Sequence, residues 1–237
     1  MKKVIHFDGC GAAFPYSVGY ALHLLERYVL DRSVHFSGVS SGGIVSAFMA
    51  FGVDPLQSIP AAFRLQQEAS HRALGLMGVW REMLERYYAE ILPDDYDYTR
   101  SRRLHIRVTH LDFRPCFVSR FDSKIDLVKA LMASQHIPFF LDWKPLARYR
   151  GRFCFDGQWF SKARPFGREV PTLDVAPVSS LLRKSPVPFH EVFTRKSPAR
   201  IFQLLRKGYR DAAGAAPGLE ALGLSRRKGG VRRVEWA

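Results

Sequence analysis

The sequence predicts one α/β domain with a mostly parallel central sheet that helices cover on both faces. Three observations lead to this prediction. The 237 residues suffice for one sizeable domain. Hydrophobic residues make up 47% of the chain and aromatic residues 13%, which indicates a packed core and excludes wholesale disorder. Short segments with strand periodicity alternate with longer segments of helical periodicity, an order typical of parallel sheets.

The first four elements are predicted to be a strand, a helix, a second strand and a second helix. Residues 4–7 form a short apolar strand that ends in a glycine turn. The apolar residues of 15–32 recur at helical spacing behind Pro15, which suits a first helical turn. Residues 34–40 (VHFSGVS) are predicted to be the second strand. Residues 42–52 (GGIVSAFMAFG) are largely apolar, so we expect a helix that is buried on most sides.

The middle of the chain predicts a long helix, a hairpin and a further helix. Residues 56–92 are expected to be helical throughout. Residues 104–113 (LHIRVTHLDF) show the β-branched alternation of a strand, and residues 114–121 are predicted to pair back on it as a hairpin. Residues 123–140 are expected to form a helix that Pro138 ends.

The last third of the chain predicts two strands, one helix and a tail. Strands are expected over residues 151–157 (GRFCFDG) and 172–180 (TLDVAPVSS), and a final helix over residues 197–212. Residues 213–237 are rich in glycine, small residues and basic residues, so they are predicted to be a flexible tail outside the core. The chain therefore divides into a folded domain over residues 1–212 and this tail.

The charge balance of the chain is strongly basic. Lys and Arg number 36 against 22 Asp and Glu, which gives a formal net charge of +14. Such an excess attracts anionic surfaces, among them nucleic acids, acidic phospholipid headgroups and acidic proteins. A solvated basic face explains the same composition, so charge alone identifies no partner. Because the sequence contains no recognisable nucleic-acid recognition module, we rank nucleic-acid binding below binding to a lipid surface.

The cysteine pattern and the lack of a long apolar run predict a cytoplasmic protein without a metal site. Cys10, Cys116 and Cys154 are odd in number and far apart, which is typical of free thiols in a reducing compartment. Neither they nor the eight histidines show metal-ligand spacing. No apolar run reaches the roughly 18 residues that span a bilayer. His6 and Asp8 interrupt the apolar stretch of the signal-like N-terminus.

The pentapeptide GVSSG (residues 38–42) lies where the second predicted strand turns into the second helix. A nucleophile elbow needs this context, because its strained turn and close backbone packing require glycines on both sides, here Gly38 and Gly42. The helix N-terminus behind Ser40 also directs free amides and a positive dipole end at charge that develops near its hydroxyl. A purely structural glycine turn is the alternative, since this pattern arises by chance in about one such chain in ten.

A second glycine motif, DGCGA (residues 8–12), follows the first predicted strand. Gly9 and Gly11 let the backbone fold so that successive N–H groups converge, as an oxyanion hole or a phosphate cradle requires. The spacing matches neither of the common nucleotide-binding glycine loops. In a parallel sheet this loop and the Ser40 elbow would lie side by side at the carboxyl ends of their strands, where sites form.

Asp156 is the carboxylate that the order of motifs offers as a base for Ser40. A standard α/β-hydrolase places several strands before its elbow, but only about 35 residues precede Ser40 here. Asp156 ends a predicted strand and precedes Gly157, which suits a two-member Ser–Asp dyad without histidine. The alternative is an ordinary Asp-Gly turn at a strand end. His190 lies late enough to complete a Ser…Asp…His order, although a loop position is the favoured interpretation.

The order of these motifs resembles that of the patatin-like phospholipase family, and most of all its animal-type branch of triglyceride and acylglycerol lipases. Besides the glycine loop, the elbow and the Asp-Gly pair, shorter stretches match in family order: ILPDDYDY, LHIRVTHL, ASQHIPFF, VAPVSS and KGYRDA. Together the matches cover roughly residues 4–212. The resemblance implies a three-layer α/β/α patatin-like fold with a mostly parallel central sheet, and a catalytic domain over residues 1–212.

The resemblance also implies the chemistry of the site. Ser40 would be the nucleophile and Asp156 the base, with Gly157 completing the family's Asp-Gly motif. The oxyanion hole would consist of the backbone amides of Gly9, Cys10 and Gly11. These groups would hydrolyse fatty-acyl esters of a phospholipid or an acylglycerol through an acyl-enzyme, with no metal or cofactor. The expected partner surface is an anionic membrane or a lipid droplet, with which the protein would associate peripherally.

Three positions depart from the family pattern. Phe14 stands where a further glycine of the loop is usual, Ala13 where plant and bacterial members carry a basic residue, and Gln158 where glycine or alanine follows the Asp-Gly pair. We expect the side chain of Phe14 to narrow the oxyanion pocket. Trp159 and Phe160 either line an acyl pocket or pack in the core. Two alternatives to hydrolysis stay open, namely acyl transfer to an alcohol from the same acyl-enzyme and a catalytically inactive relative that binds lipid.

Overall fold

Seven short strands form one sheet in the part of the chain that the computed structural model describes, residues 1–78, 80–100, 102–158, 162–178 and 185–227. In chain order they are β1 (Lys3–Phe7), β2 (Val34–Gly38), β3 (Leu104–His110), β4 (Pro115–Val118), β5 (Ala147–Tyr149), β6 (Arg152–Phe155) and β7 (Thr172–Val175). Across the sheet the order is β5-β6-β3-β2-β1-β7, and β4 pairs with β3 off this path. The strands β7, β1, β2 and β3 pair in parallel, whereas β4, β5 and β6 join the sheet by antiparallel pairs.

Seven α-helices accompany the sheet among the described residues. They are α1 (Pro15–Arg27), α2 (Ser41–Phe51), α3 (Ser58–Ser70), α4 (Trp80–Ile91), α5 (Lys124–Ser134), α6 (Pro198–Gly214) and α7 (Ala216–Ala221). The predicted N-terminal order is confirmed by β1, α1, β2 and α2, and the predicted hairpin by β3 and β4. Helix α1 ends at Arg27 instead of residue 32, because Tyr28 has an extended backbone with φ −123° and ψ 150°.

The prediction of one helix over residues 56–92 is wrong. Helix α3 ends at Ser70, and α4 begins only at Trp80, after a series of turns. Gly75 and Gly78 interrupt the helical path, because both have positive φ angles, 59° and 75°. A Cβ atom at Gly78 would also lie 1.8 Å from Nε1 of Trp143, so the turn packs closely against the loop that follows α5.

The region between α5 and β6 also differs from the prediction. Helix α5 ends at Ser134 instead of residue 140. The carbonyl oxygen of His136 accepts a hydrogen bond of 2.7 Å from the Asp156 N–H, so this backbone pairs with the chain after β6 and does not continue the helix. Strand β5, which the sequence did not predict, pairs antiparallel with β6. The resulting loop over residues 135–146 carries exposed aromatic side chains.

The core forms where the apolar face of the sheet meets helices. Alternate residues of the parallel strands point to one face and are fully buried there, among them Ile5, Phe7, Phe36 and Ile106. Helix α2 packs against β1, β2 and β3, and α5 packs against β3, β5 and β6. The successive β1-α1-β2 and β2-α2-β3 units step in the same direction across the sheet, and right-handed crossovers then place α1 and α2 on the same face.

Helices α1 and α6 lie against each other at unusually short range. A Cβ atom at Gly19 of α1 would lie 2.0 Å from the carbonyl oxygen of Leu205. A Cβ atom at Gly208 of α6 would lie 1.9 Å from the carbonyl oxygen of Tyr16. Because real Cβ atoms do not approach backbone atoms this closely, both positions require glycine. The contact joins the first helix of the chain to a helix near its other end.

Residues 213–227 join the core, which differs from the expected tail outside it. Helix α6 continues to Gly214, and α7 follows. Leu219 is fully buried, and Leu222 and Leu224 are nearly so, because this segment turns its leucines onto the domain. Arg226 then forms an antiparallel bridge with Tyr28. Residues 228–237 lie outside the described residues, and the division of the chain at residue 212 stays a prediction.

The three cysteines are free and differ in exposure. Cys10 and Cys154 are buried, whereas Cys116 on β4 is exposed. Burial raises the pKa of the Cys10 thiol to about 11 and also raises the pKa of Cys154. At neutral pH these two thiols therefore stay protonated, and Cys116 is the accessible one.

Candidate active site

Ser40 occupies a strained position between β2 and α2. Its backbone has φ 53° and ψ −136°, a region that residues other than glycine rarely adopt. Such strain persists only where the surroundings fix it. Here the Ser40 N–H donates a hydrogen bond of 2.9 Å to Oγ of Ser134, and that hydroxyl donates one of 2.6 Å to the carbonyl oxygen of Arg107. Ser134 on α5 thus ties the Ser40 backbone to β3.

The two glycines of the predicted elbow are required by close backbone contacts. A Cβ atom at Gly38 would lie 2.3 Å from the carbonyl oxygen of Gly42. A Cβ atom at Gly42 would lie 2.1 Å from the carbonyl oxygen of Phe7 in β1. These contacts bring the N-terminus of α2 down onto the sheet and leave the Ser40 side chain at the start of the helix, where its positive dipole end lies. The local geometry is that of a nucleophile elbow.

Asp156 directly follows β6 and lies beside Ser40. Its backbone N–H binds the carbonyl oxygen of His136, and its Oδ1 accepts a hydrogen bond of 2.9 Å from the Gln158 N–H. The side chain of Ser40 lies close enough to Asp156 to lower the pKa of the carboxyl, which favours the ionised carboxylate. A Cβ atom at Gly157 would lie 1.7 Å from Oγ1 of Thr109, so only glycine fits between Asp156 and β3. The structure thus brings Ser40, Asp156 and Gly157 together as the sequence predicted.

Burial dominates the electrostatics of Asp156. It raises the pKa of the carboxyl above its ordinary value, while the side chain of Ser40, the hydrogen bond from the Gln158 N–H and the charge of Arg107 lower the pKa part of the way back. A carboxylate with a raised pKa is a stronger base than an exposed aspartate. It therefore suits the acceptance of a proton from a serine hydroxyl.

Arg107 is a residue of this region that the sequence analysis did not single out. It lies on β3 and is almost fully buried, and its guanidinium nitrogens have no hydrogen-bond partner among the described residues. Burial lowers its pKa, and the charges of Asp8 and Asp156 raise it, so the guanidinium lies within electrostatic reach of the candidate base. The sequence signal that pointed to Arg107 was a single arginine within the apolar alternation of LHIRVTHL, residues 104–111.

The predicted oxyanion loop lies directly against Ser40, but protein groups already bind two of its amides. A Cβ atom at Gly9 would lie 2.6 Å from Cβ of Ser40. The Gly9 N–H donates a hydrogen bond of 2.8 Å to Oε1 of Gln158, and the Cys10 N–H donates one of 2.9 Å to Oγ of Ser41.

The third predicted donor differs from these two. The Gly11 N–H has no acceptor within the described part of the chain. Gly11 has φ 51°, and a Cβ atom there would lie 2.5 Å from the carbonyl oxygen of Val192. Gly11 also lines the apolar cleft beside Ser40. Of the three predicted donors, Gly11 is therefore the one whose amide has no protein acceptor among the described residues, and its role stays a prediction.

An apolar cleft opens beside Ser40. Together with its mouth it holds about 770 Å³ of space that no atom occupies. Its walls come from α3, α4 and the loop after α5, and include Leu65, Leu76, Met83, Tyr87, Phe140 and Leu141. Phe14 also lines the cleft, with its ring edge-on to Tyr87 at 6.4 Å between centroids. Gln158, and not Phe14, is therefore the residue whose side chain binds one of the predicted oxyanion donors, the Gly9 N–H. Phe14 forms part of the cleft wall. Trp159 and Phe160 lie outside the described residues.

A shallower depression lies on the other side of the candidate base. Asp156 lines it together with apolar residues, and Phe193 lines both this depression and the cleft. Leu111, Phe113 and Phe193 line it and are exposed. Three further exposed side chains stand on two of the segments that form it, Phe139 and Trp143 on the loop over residues 135–146 and Phe153 on β6. These six side chains are here called the apolar rim. Three of them, Phe113, Phe139 and Trp143, have positive φ angles of 61° to 63°. Bulky residues in this conformation are genuine outliers.

The histidines do not join Ser40 and Asp156 by any hydrogen bond found among the described residues. His190, the late candidate for a triad, is exposed in the short 3-10 turn Phe189–Val192. His6 is buried, with Nδ1 3.0 Å from Oγ of Ser37 and Nε2 3.1 Å from Oδ1 of Asp8. The interpretation of His190 as a loop residue agrees with its position.

Comparison with known proteins finds one family model and several relatives. The model of the patatin-like phospholipase family matches residues 5–166. Omega-hydroxyceramide transacylase of Mus musculus is 26% identical over 197 residues, 79% of this chain and 33% of the relative. Patatin-like phospholipase domain-containing protein 4 of Homo sapiens is 27% identical over 195 residues, 78% of this chain and 76% of the relative. The chain thus spans about a third of the first relative and about three quarters of the second.

A solved structure resembles the fold at low sequence identity. VipD from Legionella pneumophila has a TM-score of 0.51 and 11% identity, and the likeness covers 96% of this chain and 68% of that one. Identity at this level is evidence for the fold alone. Together with the family match and the order of helices and strands, it confirms the predicted three-layer α/β/α fold.

Proposed function

Since this chain belongs to the patatin-like phospholipase family, we propose that it hydrolyses fatty-acyl esters of lipids through an acyl-enzyme on a Ser40–Asp156 dyad. One observation carries the proposal. Ser40 is held in a strained elbow, with the buried carboxylate of Asp156 beside it and an apolar cleft in front of it. Nucleophile, base and a pocket for an apolar acyl group thus meet at the carboxyl ends of β1, β2 and the chain after β6.

The dyad performs both halves of the reaction with one proton acceptor. Asp156 accepts the proton of the Ser40 hydroxyl as Oγ attacks the ester carbonyl, and backbone amides of the glycine loop bind the oxygen that becomes negative. The tetrahedral intermediate then expels the alcohol, which takes the proton from Asp156. In the second half, Asp156 accepts a proton from a water molecule as the water oxygen attacks the acyl-Ser40 ester. Asp156 then returns this proton to Oγ of Ser40 as the fatty acid leaves.

The apolar cleft supports a lipid acyl chain as the group that is transferred. The cleft begins at Ser40 and Gly11 and continues between α3 and α4 over leucine, methionine and aromatic side chains. Burial of each methylene group of an acyl chain there contributes about 0.8 kcal/mol. A phospholipid or an acylglycerol meets this requirement, and nothing in the cleft needs a metal or a cofactor for the steps above.

The apolar rim supports a lipid surface as the partner. Its members line the depression beside Asp156 or stand on segments that form it, and three of them stand next to basic residues in the chain: Phe113-Arg114, Trp143-Lys144 and Arg152-Phe153. Aromatic side chains suit the boundary between headgroups and acyl chains, and the neighbouring cations attract anionic headgroups. No helix in the described ranges is both long and apolar enough to cross a bilayer. We therefore propose peripheral binding to an anionic membrane or a lipid droplet.

Acyl transfer to an alcohol is the second candidate. One relative bears the name omega-hydroxyceramide transacylase. The acyl-Ser40 intermediate is the same, and an alcohol replaces water as the attacking group. Incubation with a phospholipid and isotope-labelled glycerol distinguishes the two. Transfer yields a labelled acylglycerol, whereas hydrolysis yields the free fatty acid and the lysophospholipid without labelled acylglycerol.

Labelling with a fluorophosphonate probe tests the proposed nucleophile. We expect strong labelling of the wild type, none of Ser40→Ala, and labelling slowed at least about 100-fold in Asp156→Asn, because the base is lost. Ser70→Ala, at an exposed serine on α3, is the matched control and should label like the wild type. All variants are first checked for folding and size. Absence of labelling in the folded wild type, with and without phospholipid vesicles, would instead favour the inactive lipid-binding relative.

A further inference from the structure

The side chain of Gln158 lies where the ester carbonyl of a substrate would bind. Its Oε1 accepts the Gly9 N–H at 2.8 Å. A Cβ atom at Gly9 would lie 3.3 Å from this oxygen and 3.2 Å from Oγ of Ser40, so the three groups are immediate neighbours. The oxygen therefore sits on one of the amides that a developing oxyanion beside Ser40 would use.

A side-chain amide is a close chemical stand-in for an ester at this position. Its carbonyl oxygen is a neutral sp² acceptor, as the ester oxygen is before attack. The Gly9 N–H cannot make a full hydrogen bond to Oε1 of Gln158 and to an ester oxygen at the same time. A bound ester therefore has to displace Oε1 of Gln158 from Gly9. The backbone N–H of Gln158 is anchored on Oδ1 of Asp156 at 2.9 Å. The flexible side chain can therefore swing away while the backbone beside Asp156 stays in place.

We propose that Gln158 is a displaceable occupant of the oxyanion site, an autoinhibitory contact that every ester substrate has to break. This inference rests on the proposed hydrolase function. Because the side chain has to leave the Gly9 amide before any ester oxygen binds there, the contact lowers kcat/KM by the same factor for short and long acyl chains. Burial of the acyl chain in the apolar cleft adds to binding independently.

Hydrolysis of two p-nitrophenyl esters by Gln158 variants tests this contact. Gln158→Ala frees the Gly9 amide, so we expect kcat/KM for p-nitrophenyl butyrate to rise about 3- to 10-fold, the equivalent of one neutral hydrogen bond. For p-nitrophenyl palmitate in micelles we expect a rise of similar size, because the lost contact does not involve the acyl chain. Gln158→Glu should lower both rates about 10-fold or more, because a charged acceptor binds the amide more strongly and repels the oxyanion. Gln67→Ala, at an exposed position on α3, should change neither.

The outcomes separate this inference from the proposed function. Unless kcat/KM rises for both esters in Gln158→Ala, the inference is overturned while hydrolysis itself stands. If neither the wild type nor Gln158→Ala hydrolyses either ester or reacts with a fluorophosphonate, the hydrolase proposal is contradicted. The contact between Gln158 and Gly9 then remains open to a direct measurement that needs no catalysis.

Nuclear magnetic resonance of the Gly9 amide provides that measurement. The sequence contains two Asp-Gly pairs, Asp8-Gly9 and Asp156-Gly157. Labelling with carbonyl-¹³C aspartate and ¹⁵N glycine therefore selects two amide signals, and Asp156→Asn removes that of Gly157, which assigns both. In Gln158→Ala the Gly9 proton should move upfield because it loses its acceptor, whereas Gln67→Ala should leave it in place. A Gly9 signal that does not move in Gln158→Ala overturns the inference.

Discussion

The backbone strain at Ser40 predicts an unusual order of stability among its variants. A residue held at φ 53° stores about 1–3 kcal/mol, and glycine at the same place stores almost none. Glycine also loses about 0.5–1 kcal/mol more conformational freedom on folding. We therefore expect Ser40→Gly to be about 1 kcal/mol more stable than Ser40→Ala, although both lose the hydroxyl. Urea unfolding measures the difference in the free energy of unfolding between the two variants. If Ser40→Ala were as stable as Ser40→Gly, the claim that the Ser40 backbone is strained would be contradicted.

The buried charge of Asp156 predicts that the protein gains stability when the candidate base is neutralised. Because burial raises its pKa, the folded protein binds a proton there more tightly than the unfolded chain does. The stability from this group is therefore present at low pH and is lost as the pH rises through the folded pKa. Asn removes the charge, so at pH 7 we expect Asp156→Asn to melt about 2–4 °C higher, the shift that about 1 kcal/mol gives in a chain of this size.

Melting curves between pH 4 and pH 7 check this expectation. The difference in Tm between Asp156→Asn and the wild type should shrink as the pH falls, because the carboxyl of the wild type becomes neutral as well. A difference that is constant over this range, or a variant that melts below the wild type at pH 7, would contradict it. The same variant is slow towards a fluorophosphonate, so a single substitution separates stability from reactivity.

At this scale the sequence singled out Ser40 and Asp156 as candidates but not what surrounds them. Ser40 and Asp156 carry local signals, because each follows a strand and stands beside glycine. The contact of Gln158 with Gly9 joins positions 149 residues apart, so no local pattern contains it. The same holds for Ser134, which contacts a backbone 94 residues away.

The contact between α1 and α6 makes a prediction at the scale of the elements. Alanine usually stabilises a helix by about 1 kcal/mol over glycine. At Gly208 the new methyl group would lie 1.9 Å from a carbonyl oxygen, and the helices would have to move apart. We expect Gly208→Ala to lower the free energy of unfolding by about 1–3 kcal/mol.

Gly214 at the end of α6 provides the matched control. A Cβ atom there meets no atom within 4 Å. Gly214→Ala should therefore be neutral or stabilising by up to about 1 kcal/mol, and the two substitutions in one helix should have opposite signs. Equal effects at both positions in urea unfolding would show that close packing does not require Gly208.

The elements that the sequence predicted well are those whose signal is local. The apolar alternation of β1 to β3 and the glycines around α2 lie within a few residues of each other. The break between α3 and α4 was missed, although Gly75 and Gly78 carried a signal, because the apolar spacing continues across them. Strand β5 and the early end of α5 depend on pairing with the chain around β6, and a short strand has no periodicity of its own.

For the whole molecule, the apolar rim predicts binding to lipid vesicles. Asn is favoured at positive φ, so Phe113→Asn together with Phe139→Asn should preserve folding. The double variant removes two exposed aromatic side chains, and we expect its partition onto phosphatidylcholine–phosphatidylserine vesicles to weaken about 10-fold or more. Co-sedimentation measures the partition.

A control and a change in salt identify the source of the binding. Ile125→Asn removes an exposed apolar residue in the first turn of α5, at the end of that helix opposite to Ser134, and should bind like the wild type. Salt screens the attraction of the basic residues but not the burial of the rim. At 0.5 M NaCl the wild type should therefore retain binding that the double variant lacks. Equal binding of both proteins at this salt concentration would contradict a role for the rim.

The unequal exposure of the three cysteines equips the protein with a natural attachment point for a spectroscopic reporter. A maleimide dye at neutral pH reacts with accessible thiols, and Cys116 is the one that β4 leaves open. It follows Phe113, a member of the apolar rim, by three residues in the chain. A polarity-sensitive fluorophore there would brighten as the rim enters a bilayer, so docking and release can be followed in real time on the unaltered chain.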